Sequence, residues 1–141
     1  MSPAQSAVRF ARIIQIGFLA TTALYVVVLL EVPPAPKSTS PVLVPVFVFV
    51  AVSTVGAGVF LRSILVSPSA EKLSADSQDA AALTRWRTGI IASFSCAESV
   101  ALMGLVLKFL GASWSVAAFF LVATILLLLA WTPRLELPSS N

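Results

Sequence analysis

Four stretches of 18 or 20 mostly apolar residues decide what this chain can become: residues 13–30, 42–61, 88–107 and 114–131. Three of them carry no charged residue, and the third carries a single acid, Glu98. An α-helix rises about 1.5 Å per residue, so each stretch matches a bilayer core of about 30 Å. The run over 42–50 is rich in Val and Phe and would suit a strand. A lone strand cannot satisfy its backbone in lipid, whereas a helix can, so the uncharged length predicts a helix. The expectation is an all-α integral membrane protein with four transmembrane helices, in an inner or plasma membrane, surrounded by lipid.

Composition agrees. Charged residues make up 11% of the chain and hydrophobic ones 58%, against about 25% charged in soluble domains. The 141 residues form a single membrane domain. There is no histidine and one cysteine, Cys96, so no intrachain disulfide and no Cys/His metal cluster is expected. No nucleophile–base pair or phosphate-binding glycine loop appears on a polar segment, which makes an enzyme the least favoured class. No cofactor is expected.

The first stretch is longer than the apolar core of a signal peptide and is followed by Pro33 and Pro34, a poor cleavage context. It reads as a retained first helix, with an external loop over 31–41 whose prolines end it. Pro41 and Pro45 lie in the first turns of the second helix, where a missing N–H does least harm. Residues 62–87 read as a cytoplasmic loop, with a short surface helix over 74–83 capped by Ser74 or Ser77. Residues 108–113 read as a tight external turn with Gly111 at the helix C′ position, and 132–141 as a cytoplasmic tail. Trp114 and Trp131 bound the last span, as interfacial tryptophans do.

Basic residues set the orientation. Arg9, Arg12, Arg62, Lys72, Arg85, Arg87 and Arg134 fall on one side, against Lys37 and Lys108 on the other. The positive-inside rule places both termini in the cytoplasm, N-in and C-in. The net charge of +3 is therefore read as topology, with no nucleic-acid partner implied.

A faint repeat runs through the chain. At an offset of 77 residues Ile13 and Ile14 align with Ile90 and Ile91, Ala20 with Ala97, and Thr21 with Glu98. At an offset of 72, Phe47 and Arg62 align with Phe119 and Arg134. Two repeated helical hairpins would give this pattern.

Glu98 is the eleventh of the 20 residues between Arg87 and Lys108, which places it near the bilayer midplane. An acid there is expensive unless it is protonated, paired or wetted, and function is its default reading. No arginine lies within a span to pair with it. The midpoints of the other spans bring Thr21, Thr22, Ser53, Thr54 and Thr124 to the same depth, as candidate partners for the acid or for a bound ion. Gly56, Gly58, Ala97, Ala101 and Gly104 are small residues suited to close helix packing.

The run from Cys96 through Ala97, Glu98, Ser99, Val100, Ala101, Leu102, Met103, Gly104 and Leu105 to Val106 is similar to the carboxylate helix of proteolipid c-subunits of rotary ATP synthases and V-type ATPases. Gly56, Ala57 and Gly58, followed by Arg62 and Pro68, extend the resemblance loosely over residues 50–110. It implies that Glu98 carries a proton or cation and that the chain works as a homo-oligomer or with other membrane subunits. The short Arg-Gln/Asn-Pro loop of that family is replaced by 25 residues between Arg62 and Thr88, and a helix is added on each side. Small four-helix multidrug exporters also centre on one membrane glutamate, but in their first helix, where this chain has Thr21 and Thr22. The competing expectation is a non-catalytic accessory or scaffold subunit whose Glu98 bonds a neighbouring helix.

Overall fold

A computed structural model describes residues 3–31, 33, 40 and 42–135. Most of the expected 31–41 loop, with Pro41 and Lys37, and the last six residues of the tail lie outside the described residues. The described chain is all helical: α1 (Pro3–Glu31), α2 (Leu43–Leu61), a π turn (Arg62–Val66), α3 (Ser67–Ala75), α4 (Ala80–Phe109) and α5 (Trp114–Ala130). Three helices are long and apolar enough to cross a membrane: α1, the continuous rod Leu43–Ala75, and α4. The fourth, α5, is apolar but shorter.

The bundle is organised around α4, which packs against every other element. The residue pattern explains why. Ala97, Ala101 and Gly104 recur at i, i+4 and i+7, so one stripe of α4 has almost no side-chain bulk. That stripe lies against α5. Ala101 packs with Ala117 and Leu121, and a Cβ built on Gly104 would lie 2.7 Å from Phe120 Cβ and 3.1 Å from the Ala117 carbonyl oxygen. A larger face of α4, with Trp86, Ile90 and Phe94, builds the main core with Ala7 and Ala11 of α1, Leu73 of α3 and Leu128 of α5. On the other side Val100 and Leu107 pack with Ala51 of α2.

The turn from α4 to α5 follows the expected glycine chemistry. Gly111 has φ 94°, its N–H donates to the Lys108 carbonyl, and the Ala112 N–H donates to the Leu107 carbonyl. These two bonds are a Schellman cap, and glycine tolerates the left-handed backbone it needs.

The segment 62–87 departs from the expected loop. The helix of α2 does not stop at Arg62; it widens into the π turn and continues to Ala75. Pro68 gives the reason, because its ring would clash with the carbonyl four residues earlier in a regular α-helix. In the π turn the Ser67 N–H reaches back to Arg62 O, which opens the coil just ahead of the proline. Non-helical chain is confined to Asp76–Asp79, so the expected 74–83 surface helix does not form. Ser74 and Ser77 do not cap α4. Asp79 does, with Oδ1 accepting from the Ala81 and Ala82 N–H groups. The first helix likewise begins at Pro3, ten residues before the apolar stretch, because Ala4, Ala7 and Ala11 pack against the bundle.

Packing does not follow the sequence repeat. α4 and α5 form a packed hairpin, whereas α1 and α2 each pack on α4. Ala20 is exposed while its repeat partner Ala97 is buried.

Candidate functional site

Glu98 sits in the middle of α4 and is 7% exposed. Its neighbours are set by the heptad-like face of α1. Gln15, Thr22 and Leu29 recur every seven residues, all buried, so they lie on one line facing α4 and α5. Thr22 thereby reaches the acid: its Oγ1 lies 3.1 Å from Glu98 Oε2. The same oxygen lies 3.0 Å from the Phe18 carbonyl, one turn back on α1. Tyr25, the next residue on that face at i+3, brings its half-buried phenol up to the carboxyl, close enough to interact with it.

The other oxygen, Oε1, is buried and receives no hydrogen bond of ordinary geometry. Among the described residues, no basic residue pairs with the acid and no group of three or more His, Cys, Asp or Glu gathers to hold a metal ion. The site is one carboxyl, one fully buried hydroxyl and one phenol in an apolar bundle.

The remaining expected helpers divide. Thr124 of α5 is fully buried and donates to the Ala97 carbonyl at 3.1 Å, one residue from Glu98, pinning α5 to α4 at the level of the site. Thr21, Ser53 and Thr54 do not join. They return their hydroxyls to Gly17, Phe49 and Val50 of their own helices, the usual fate of Thr and Ser in apolar helices. Thr21 fails because one residue is about 100° of helix rotation, which turns it off the face that carries Thr22. Depth alone does not select the partners of the acid, because rotation about the helix axis decides which side chains face it.

The small residues divide as well. Ala97, Ala101 and Gly104 lie in the α4–α5 contact described above. Gly58 admits the Trp131 ring, whose Cη2 would lie 2.6 Å from a Cβ there. Gly56 has nothing within 4 Å of such a Cβ, so it serves no contact within this chain. Two further participants lie away from the span midpoints. One is Tyr25. The other is Gln15, whose Nε2 donates to the Leu128 carbonyl of α5 at 2.6 Å. The seven-residue spacing from Gln15 to Thr22 is the signal that points to Gln15, and the i+3 step from Thr22 points to Tyr25.

No protein-family model, curated protein or solved structure matches this chain.

Proposed function

We propose that this chain is a small membrane subunit, with four spans and both termini in the cytoplasm, that binds and releases a proton or cation at Glu98, in the manner of rotary-ATPase c-subunits. The observation that carries the reading is the position of the Thr22 hydroxyl between Glu98 Oε2 and the Phe18 carbonyl, at 3.1 and 3.0 Å. One O–H can donate to only one of them at a time. With the acid protonated, its O–H donates to Thr22 Oγ1 while Thr22 donates to Phe18. With the acid ionised, Thr22 rotates and donates to the carboxylate. Both protonation states thus keep a hydrogen bond through a single hydroxyl rotation.

An oligomer fits this reading, because α1 and α2 expose long apolar faces that a neighbouring copy can cover. The orientation rests on the basic residues. Arg87 lies over the Phe10 ring, Arg62 over Trp131, and Arg134 shares a surface pocket with Glu71 and Ser74. Those contacts gather the basic residues of α1, α4, the π turn and the C-terminal end at one end of the bundle.

The second reading, an accessory subunit, draws on the Thr22–Glu98 bond as a tie between α1 and α4. An apolar carbodiimide, which reacts with protonated carboxyls in apolar surroundings, separates the two when its pH dependence is read together with the copy number of the assembly. The proposal expects modification at Glu98 that falls as pH rises through the titration of the acid, none in Glu98→Gln, and a many-copy assembly in mild detergent. Absence of modification at any pH, with a single copy in the assembly, overturns it in favour of the accessory reading.

A further inference from the structure

A second polar site lies at the basic end of the bundle, in the corner where α3 meets the start of α4. It is a pocket of about 190 Å³ whose walls include Ile64, Ser69, Lys72, Asp79 and Arg85. We infer that it binds the phosphate of an anionic phospholipid, with Lys72 and Arg85 as the charged ligands.

The charge balance points to a singly charged phosphodiester. Lys72 and Arg85 are exposed and form no ion pair among the described residues. Asp79 also lines the pocket, but its Oδ1 is committed to the Ala81 and Ala82 N–H groups at the α4 N-terminus. Two cations and one engaged carboxylate leave one net positive charge. Ser69, 4% exposed, adds a hydroxyl to the inner wall.

The apolar rim points to a lipid as the source of that phosphate. Ile64 forms one wall and is 49% exposed, and Phe60, one turn before it on the same rod, is 62% exposed. This ridge leads from the pocket onto the outer apolar surface of α2. A soluble anion has no use for it, whereas a phospholipid can seat its phosphate on Lys72 and Arg85 and lay an acyl chain along Ile64 and Phe60. Basic pockets beside spans on the cytoplasmic side are suited to such headgroups. The continuation of the rod through the π turn creates the corner: without it Lys72 would not stand opposite Arg85.

The inference rests on the membrane placement of the helices and is independent of proton binding at Glu98. The test is native mass spectrometry of the full chain released from vesicles of equal phosphatidylglycerol and phosphatidylcholine. The wild-type protein is expected to retain phosphatidylglycerol in at least about tenfold preference, and the double variant Lys72→Ala/Arg85→Ala to lose that preference. Arg9→Ala/Arg12→Ala, in a separate surface pocket that those two residues line with Val8 and Leu135, is expected to keep it. Equal retention of the two lipids by the wild type overturns the inference without recourse to any variant. So does unchanged preference in the double variant. Displacement of the lipid by millimolar inorganic phosphate would assign the pocket to a soluble anion instead. Carbodiimide labelling of Glu98 in the same samples reports on the other reading separately.

Discussion

Thr22 and Glu98, 76 residues apart in sequence, meet across the α1–α4 interface with the threonine oxygen 3.1 Å from the carboxyl. That contact is the only one of the expected midspan hydroxyl–acid pairings made directly among the described residues.

Replacing Thr22 with Val keeps the shape and removes the hydroxyl. The variant is expected to lose about 1 kcal/mol of stability, the usual scale of an interhelical hydrogen bond in an apolar bundle. Its carbodiimide labelling at Glu98 should change in pH dependence, because the ionised acid loses its donor. Thr21→Val, which breaks only a bond to Gly17 on its own helix, should leave both unchanged. Denaturation in detergent and a pH series of labelling check the pair.

Gly104 and Gly56 offer a sharper contrast. A methyl group at Gly104 would press on Phe120 Cβ and the Ala117 carbonyl of α5, so Gly104→Ala is expected to cost about 1–3 kcal/mol. Gly56 faces open space within the chain. Gly56→Ala should therefore be neutral, or stabilising by up to about 1 kcal/mol through backbone entropy. Equal loss in both would mean that Gly56 packs against a second copy.

Trp131 joins the end of α5 to the α2 rod. Its ring fills the notch at Gly58, and Arg62 lies 5.7 Å above that ring while donating to the Trp131 carbonyl. Trp131→Ala should cost about 3–5 kcal/mol, in line with truncation of a buried aromatic. Arg62→Met, which keeps much of the apolar stem, should cost markedly less. Thermal unfolding in detergent measures both.

Asp79 caps α4 with two hydrogen bonds to one oxygen. Asp79→Ala is expected to lose about 0.5–2 kcal/mol, and Asp79→Asn or Asp79→Ser much less. Amide hydrogen exchange should localise the loss to the first turns of α4, near Ala81 and Ala82.

Sequence by itself determined the apolar helices, the placement of Glu98 in the middle of one, and the cap at Gly111. Those properties follow from local chemistry: apolar length, the spacing of an acid between flanking cations, and the one residue that accepts positive φ. It did not reveal where helices end in polar sequence. Hydropathy measures what a segment can bury, and the segment after Arg62 is polar yet helix-forming, so the rod continues to Ala75 and Leu73 enters the core. Nor did it tell Thr22 from Thr21, or Gly104 from Gly56. Those distinctions depend on rotation of each helix about its axis, which is fixed by contacts between residues far apart in the chain. Only the packing of α1 and α5 onto the small-residue stripe of α4 decided which hydroxyl meets the acid.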